Sequence, residues 1–210
     1  MQPGTAPRGL WAIVLAAGES RRLGRPKQLV RWRNDTLIGH SVRNAQTLCG
    51  ERVRVVLGAY APAIEAALAG AAPALVMNAQ WQEGIASSLR MGVAALPSGC
   101  EAALLLTCDQ PRVPLGALEA LVQRWRDVPD CAVASAYAGT VGIPAILPAR
   151  AFGALLQLSG DRGARAVLTA ERERLETVPV PEAAFDVDDE HAVRALESDE
   201  TEALESSRGA

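Results

Sequence analysis

The chain has 210 residues, of which 49% are hydrophobic, and it carries a formal net charge of −3 with a pI near 5.5. This length suits one domain with a sizeable core. The acidic balance argues against a general nucleic-acid or anionic membrane surface, because such surfaces need a basic excess. Residues 1–9 contain prolines but no apolar run, so we expect a flexible N-terminus rather than a secretion signal.

Strand and helix patterns alternate along the rest of the chain. Continuous apolar runs predict strands, and apolar residues three or four positions apart predict helices. In chain order the patterns predict strand 10–14, helix 36–48 with Asp35 as its cap, strand 52–57, helix 62–68, strand 74–77, helix 85–96, strand 102–107, helix 114–125, helix 164–171 and helix 190–196. Apolar strands joined by helices predict a parallel sheet that is covered on both faces.

The predicted fold class is therefore α/β, with a three-layer, doubly wound, mostly parallel sheet. We expect one domain over residues 10–197 and an acidic, disordered tail over 198–210, where acidic residues dominate. The uncharged segment 131–149 contains glycine, proline and polar residues, so we predict two short strands there rather than a membrane span.

The cysteines are widely separated along the chain. They are Cys49, Cys100, Cys108 and Cys131. Zinc sites usually use closely spaced pairs, and a chain of this length needs no disulfide bonds. We therefore predict a reduced, cytoplasmic protein.

A basic loop with two glycines follows the first strand. In doubly wound sheets ligands bind beyond the carboxyl ends of the strands. Gly18 and Gly24 allow backbone amides to turn toward an anion, and Lys27 with one neighbouring arginine supplies positive charge. The glycine spacing fits neither the dinucleotide fingerprint nor the ATPase phosphate loop. The loop thus predicts a phosphate site, with a surface loop of incidental charges as the alternative.

An aspartate follows the apolar strand 102–107. Asp109 suits Mg²⁺, which takes one or two carboxylates together with water and substrate phosphates. Asp186, Asp188 and Asp189 are candidates for a second carboxylate. A turn aspartate is the alternative for Asp109, and a helix cap is the alternative for Asp188.

Six motifs occur in the order found in nucleotidyltransferases of the molybdenum cofactor type. They are LAAGxSxRLGxPKQL at 15–29, NxxWxxGxxxSL at 78–89, LxCDQP at 106–111, GxP at 142–144, GDxGAR at 160–165 and DVD at 186–188. The chain resembles this family over residues 10–197. Relatives of the family include methylerythritol phosphate cytidylyltransferases and sugar nucleotide pyrophosphorylases.

The resemblance implies a set of site residues. The implied catalytic residues are Lys27, Arg22 and Asp109, and the implied Mg²⁺ ligands are Asp109 and Asp188. The implied nucleotide-binding residues are Leu15, Ala16, Ala17, Gly18, Arg22, Lys27, Asn78, Gly84 and Ser88. The implied acceptor-binding residues are Asp161, Arg162 and Arg165.

Simpler explanations exist for two of these groups. Gly84 also suits the start of a helix, with Ser87 or Ser88 hydrogen-bonded to its first turn. The loop 160–165 also suits a basic segment that caps the following helix. Both alternatives stay open at this point.

The implied reaction is in-line attack of an acceptor phosphate on the nucleotide α-phosphorus, with release of pyrophosphate. No protein nucleophile is needed, so we expect packing or solvent exposure for Cys108, His40 and His191. Guanylyl-transferring relatives usually have glycine where this chain has Ala17, whose methyl beside the base slot favours a pyrimidine. The expected donor is therefore CTP, with GTP as the alternative.

The expected acceptor is molybdopterin, whose cytosine dinucleotide serves enzymes similar to xanthine dehydrogenase. A transient contact with such a molybdenum hydroxylase or its chaperone is expected, and neither nucleic acid nor membrane is expected as a partner. Two other functions remain. One is transfer to a sugar phosphate, methylerythritol phosphate or lactyl phosphate, and the other is a noncatalytic chaperone that carries the cofactor.

Overall fold

The computed structural model describes the backbone of residues 9–208 and the side chains of residues 9–199. The flexible segment predicted at residues 1–9 lies outside this range except for Gly9. The strands are β1 (Leu10–Ala16), β2 (Arg31–Trp32), β3 (Asp35–Thr36), β4 (Val53–Leu57), β5 (Ala74–Met77), β6 (Ala102–Thr107), β7 (Ala132–Tyr137), β8 (Thr140–Pro148) and β9 (Leu175–Pro179). The helices are α1 (Leu37–Cys49), α2 (Ala61–Ala67), α3 (Ile85–Ala94), α4 (Leu115–Asp127), α5 (Phe152–Leu156), α6 (Ala164–Ala170) and α7 (Glu190–Arg208).

Seven strands form the central sheet in the order β5-β4-β1-β6-β8-β7-β9. The strand β8 runs antiparallel to β6 and β7, and every other neighbouring pair is parallel. β1 lies near the centre, where Val14 stands opposite Val55 of β4 and Leu106 of β6. The mostly parallel sheet predicted from the apolar runs is confirmed.

Helices cover both faces of this sheet. Because side chains alternate along a strand, Val14 packs into a core with Val42 of α1 and Leu121 of α4. Ile13 points the other way and packs with Leu89 of α3. The helices α1, α2 and α4 line the first face and α3, α5 and α6 line the second. The predicted three-layer α/β/α architecture is confirmed.

A third apolar cluster fastens the basic loop to the C-terminal helix. Its buried members are Leu23, Val30, Trp32, Leu37, Val187, Val193 and Leu196. These residues come from the loop after β1, the β2–β3 ribbon, the start of α1, and the segment that leads into α7. The cluster therefore fixes the basic loop relative to the DVD motif at 186–188.

The C-terminal helix differs from the prediction. A disordered tail was expected over 198–210, whereas α7 continues to Arg208. Arg112 pairs with Asp199 at 2.8 and 3.1 Å, and this contact holds the helix beyond the expected boundary. Glutamate, alanine and leucine also favour helix intrinsically. Residues 209–210 lie outside the described range.

Other boundaries shift for local reasons. Thr36, not Asp35, caps α1, because the Thr36 hydroxyl accepts a hydrogen bond from the Gly39 N–H at 3.1 Å. Asp35 instead accepts from the Thr36 N–H and pairs with Arg43. The hairpin β7–β8 confirms the two strands predicted within 131–149. No helix within residues 9–208 is both long and apolar enough to cross a membrane.

Candidate active site

The carboxyl ends of the parallel strands bring three of the motifs to one edge of the sheet. β1 leads into Gly18, β5 leads into Asn78 and β6 leads into Asp109. A cavity of about 400 Å³ opens at this edge. Its walls include Leu15, Ala16, Ala17, Gly18, Arg21, Lys27, Gln28, Trp81, Gly84, Ile85, Ser88, Thr107, Asp109 and Asp161.

A buried amide holds the basic loop against β1. Gln28 is 1% exposed, and its Nε2 donates to the carbonyl oxygens of Ala16 at 3.1 Å and Gly18 at 2.8 Å. The Lys27 N–H donates to the Ser20 hydroxyl at 3.1 Å. These bonds fix the loop backbone and direct Lys27 toward the end of β6. Gln28 lies within the first motif, but only the structure shows that it supports the loop.

Lys27 bridges two carboxylates that are far apart in the sequence. Its Nζ lies 2.5 Å from Asp109 Oδ2 and 2.7 Å from Asp188 Oδ1. Arg22 pairs with the other oxygen of Asp188 from the solvent side. The Val187 N–H donates to the Asp109 carbonyl at 2.8 Å, which binds the DVD segment to the end of β6. The sequence predicted these residues as one site, and the structure brings them together.

The opposite charges in this cluster stabilise one another. Burial opposes the charge of Lys27, but the Asp109 charge and the hydrogen bonds to both aspartates raise its pKa above the usual value. Partial burial opposes the charge of Asp188, but its bonds and charge interactions with Lys27 and Arg22 lower its pKa. Lys27 is therefore a cation and Asp188 an anion at neutral pH.

The three candidate partners of Asp109 have different surroundings. Asp189 caps α7, because its side chain accepts from the Ala192 N–H at 2.9 Å. Asp188 faces Lys27 and does not serve as the cap. Asp186 lines a neighbouring cavity, where desolvation and the charges of Asp109 and Asp188 raise its pKa to about 6.

The pair of Asp109 and Asp188 fits a divalent metal of the magnesium type. Both carboxylates converge on one ammonium and remain partly accessible, with side-chain exposures of 18% and 32%. No group of three or more histidine, cysteine, aspartate or glutamate side chains suited to a metal occurs among the described residues. A metal here would take its remaining ligands from water and substrate phosphates, as Mg²⁺ commonly does.

The second motif forms another wall of the first cavity. Asn78 is 1% exposed and donates to the hydroxyls of Ser87 at 2.8 Å and Ser88 at 3.0 Å. Ser88 and Gly84 line the cavity, whereas Asn78 lies behind them. Gly84 also precedes α3, and Ser87 donates to its carbonyl. Gly84 therefore both precedes α3, as the simpler explanation expected, and lines the cavity.

A smaller cavity of about 220 Å³ adjoins the first one. The two share Ile85, Thr107 and Asp109 in their walls. The smaller one is also lined by Gln110, Tyr137, Gly142, Ile143, Gly163, Ala164, Arg165 and Asp186. Asp109 therefore stands at the junction of two cavities.

The residues predicted to bind the acceptor separate in the structure. Arg165 lines the smaller cavity, and its Nε donates to the Val141 carbonyl at 3.2 Å. Asp161 lines the first cavity, and Arg162 lines neither. Among the arginines of the loop, Arg21 lines the first cavity, whereas Arg22 reaches Asp188 from outside.

The residues expected to have no chemical role have ordinary environments. Burial and the Asp109 charge raise the pKa of the Cys108 thiol to about 12, so it stays protonated. Burial and the Arg33 charge lower the pKa of His40, which lies beside Asn44. His191 is exposed on α7.

Comparison with known proteins assigns the family. The family model described as MobA-like NTP transferase domain matches residues 12–177. The chain belongs to the MobA-like NTP transferase family. The motifs at 15–29, 78–89, 106–111, 142–144 and 160–165 all fall within the matched range.

Two curated relatives in this family carry different names. A probable molybdenum cofactor guanylyltransferase of Rhodopirellula baltica is 30% identical over 131 residues, which is 60% of this chain and 61% of that protein's own length. Nicotine blue oxidoreductase of Paenarthrobacter nicotinovorans is 32% identical over 164 residues, covering 74% of this chain and 79% of that protein.

A solved mycobacterial protein has the same fold as this MobA-like chain. The crystal structure of Rv0371c from Mycobacterium tuberculosis H37Rv is 31% identical and superposes with a TM-score of 0.76. The match covers 91% of this chain and 98% of that one. Rv0371c is also known in complex with manganese, a structure that is 28% identical and superposes with a TM-score of 0.73 over 90% of this chain and 97% of that one.

Proposed function

We propose that this protein transfers CMP from CTP to molybdopterin, forming molybdopterin cytosine dinucleotide and releasing pyrophosphate. The observation that carries the proposal is the bridge from Lys27 to Asp109 and Asp188 at the junction of two cavities. A group-transfer enzyme needs its charged residues where the donor and the acceptor meet. The membership of the MobA-like NTP transferase family supports the same reaction class.

In this proposal Mg²⁺, held by Asp109 and Asp188, neutralises charge on the phosphate oxygens when it is bound. Lys27 and Arg22 pair with the triphosphate once its phosphates compete for them. The backbone of Leu15–Gly18, fixed by Gln28, faces the phosphates from the first cavity. The manganese complex of Rv0371c supports a divalent metal in the family.

The remaining donor-binding proposals follow from the walls of the first cavity. Gly84 and Ser88 line it, and in this proposal they contact the nucleoside. Asn78 contributes indirectly, because it holds Ser88 in place. Donor contacts thus come from the ends of β1, β5 and β6 together with the start of α3.

The smaller cavity is the proposed acceptor site. Arg165 offers a guanidinium to an anionic acceptor, and Asp109 at the shared wall brings that acceptor beside the nucleotide. Arg162 lines neither cavity, so its proposed contact with the acceptor requires an acceptor that extends past the cavity rim. Asp161 faces the donor side instead.

GTP is the second candidate donor. The Rhodopirellula baltica relative is named a guanylyltransferase, which favours GTP. The case for CTP depends on Ala17, which is 4% exposed. A Cβ on Gly58 would lie 2.9 Å from the Ala17 Cβ and 2.7 Å from the Trp81 Cβ, so the Ala17 methyl packs against Gly58. Ala17 also lines the first cavity, and in this proposal its methyl narrows the base slot and favours a pyrimidine.

The test is pyrophosphate release with Mg²⁺, using CTP or GTP as donor and molybdopterin, a sugar phosphate or methylerythritol phosphate as acceptor. Turnover with CTP and molybdopterin supports the proposal. Turnover with GTP alone assigns guanylyl transfer, and turnover with another acceptor replaces molybdopterin. Tight nucleotide binding without any turnover favours the noncatalytic carrier.

The proposed location and partner have separate tests. The cysteines are free, which supports a reducing, cytoplasmic compartment. A disulfide in protein taken directly from cells would contradict that location. Co-purification with a molybdenum hydroxylase or its chaperone would support the proposed transient contact.

A further inference from the structure

The loop that carries Asp161 is fastened to the start of α3. The Ala86 N–H donates to the Gly160 carbonyl at 3.1 Å. Arg90 pairs with Glu83 and also donates to the Leu158 carbonyl at 2.7 Å. These contacts fix the loop, so the Asp161 backbone is held beside the donor cavity rather than placed there by a mobile turn.

Gly84 leaves room for the Asp161 carboxylate. Gly84 has a φ of +117°, and a Cβ built on it would lie 2.4 Å from Asp161 Oδ1 and 2.5 Å from the Gly160 carbonyl oxygen. A side chain at this position would therefore be strained and would also displace the carboxylate. The sequence thus provides a glycine where Asp161 enters the cavity wall.

The charge of Asp161 restricts what it can bind. The carboxylate lines the same cavity as Lys27 and Asp109, where we place the phosphates. A carboxylate repels phosphate, so it must meet a neutral part of the nucleotide that carries hydrogen-bond donors. The Arg21 guanidinium lines the same cavity and attracts this carboxylate, but its hydrogen bond goes to Glu19. Among the described residues 9–199 no hydrogen bond to the Asp161 side chain is found.

The position of Asp161 indicates which part of the nucleotide it meets. Its carboxylate lies over Gly84, and Ile85, the residue after Gly84, lines both cavities together with Asp109. With the α-phosphorus at Asp109, the sugar that is bonded to this phosphate must pass this junction before the base is reached. Two adjacent sugar hydroxyls can donate to the two oxygens of one carboxylate.

We infer that Asp161 binds the ribose 2′,3′-diol of the donor and makes the enzyme selective for ribonucleotides. This inference rests on the proposed function, because it needs a nucleoside triphosphate in the first cavity. It also moves Asp161 from the acceptor-binding set, where the motif at 160–165 had placed it, to the donor side.

The experiment measures the binding of CTP and of 2′,3′-dideoxy-CTP by calorimetry with Mg²⁺ present and no acceptor. It compares the wild type with Asp161→Asn and with Glu173→Gln. Glu173 is an exposed carboxylate on the turn after α6, so the control removes the same charge away from both cavities. Far-UV circular dichroism and the melting temperature verify that each variant is folded.

The wild type should bind CTP about 10- to 100-fold more tightly than the dideoxy analogue, the range expected for hydrogen bonds to a charged group. Asp161→Asn should weaken CTP binding and leave the analogue unchanged, so that the ratio falls to about threefold or less. Glu173→Gln should keep the wild-type ratio.

Three results would overturn the inference. Equal wild-type affinity for both nucleotides removes diol recognition and leaves the proposed function intact. Equal weakening of both nucleotides in Asp161→Asn assigns the carboxylate to the base or to the loop structure. Absence of any binding by CTP or GTP to the wild type overturns this inference and the proposed function together.

Discussion

The two cavities that meet at Asp109 are built in different ways. The first cavity, which we propose for the donor, lies over the parallel half of the sheet, and short motifs directly after β1, β5 and β6 supply its walls. The smaller cavity, which we propose for the acceptor, lies over the half that contains the antiparallel strand β8, and its walls come from β7, β8, α6 and the segment before α7. The walls of the first cavity come mostly from short sequence motifs, whereas the walls of the smaller cavity come from residues that are far apart in the sequence.

Chemistry and specificity therefore reside in different parts of the fold. The ion-paired cluster of Lys27, Asp109 and Asp188 stands at the junction, and its geometry depends on Gln28 and on the bond between Val187 and Asp109. The acceptor side offers one guanidinium, from Arg165, near the carboxyl of Asp186. Changes at the junction should therefore affect turnover, and changes in either cavity should affect one substrate.

The largest effect is expected at the junction. Asp109→Asn should lower turnover by at least ~100-fold, because it removes a charge at the reacting phosphates. Lys27→Ala should act similarly. Steady-state pyrophosphate release measures both variants, and melting temperatures verify that they are folded. Asp130→Asn, on an exposed turn far from both cavities, is the matched control. Near wild-type rates in either variant would remove that residue from the mechanism.

The next effect separates the two cavities. Arg165→Gln should raise the KM for the acceptor by ~30-fold through the lost charged hydrogen bond, and should leave the KM for CTP within about twofold. Arg21→Gln, in the first cavity, should raise the KM for CTP and leave the KM for the acceptor nearly unchanged. Initial-rate kinetics with each substrate varied in turn measures both. A rise in both constants in either variant would show that the cavities are not separate sites.

A smaller effect is expected on metal binding without nucleotide. Lys27 occupies one oxygen of Asp109 and one of Asp188, so its charge competes with a divalent metal. Lys27→Met should therefore raise the nucleotide-free affinity for Mn²⁺ by ~10-fold, as measured by electron paramagnetic resonance. Arg25→Met, which removes only the pair with Glu190, should not. Equal affinities in the wild type and Lys27→Met would show that the ammonium does not compete.

The smallest effect concerns stability on the opposite face of the sheet. His40 lies on α1. The next residue, Ser41, donates a hydrogen bond to the carbonyl of Thr107, at the end of β6. Burial and the Arg33 charge lower the His40 pKa, so the unfolded chain binds more protons than the folded one. The contribution of His40 to stability should therefore fall as the pH falls below the ordinary histidine pKa of about 6.5.

Denaturant unfolding measures the contribution of His40 to stability. It is followed between roughly pH 5 and pH 8, a range that spans the histidine titration. His40→Gln should flatten the slope, and His191→Gln, at an exposed position on α7, should retain it. An unchanged slope in His40→Gln would assign the pH dependence to other groups.

Local pattern predicted the parallel half of the fold well. The strand 102–107 was predicted with its observed ends, because its residues are apolar and turn residues flank it. β9 was not predicted, since it is an edge strand with alternating partial exposure and polar residues such as Glu176 and Thr177. The extension of α7 was not predicted because its contact between Arg112 and Asp199 joins residues that are distant in sequence.

The same physical reason limits the prediction of the site. Lys27, Asp109 and Asp188 could be named because each lies in a short motif, and the structure brings them together. The division of the motif at 160–165 between two cavities, and the position of Asn78 behind Ser88, depend on packing that no spacing reveals. Asp186, Tyr137 and Gln110 meet only in the folded chain.

Calorimetric titration of CTP into the wild type and Asp109→Asn asks whether the nucleotide site needs both a divalent metal and Asp109. We expect tight binding by the wild type with Mg²⁺, and an affinity at least ~10-fold weaker after either Mg²⁺ removal or the substitution. Equal CTP affinity with and without Mg²⁺, or in the wild type and the variant, would contradict it.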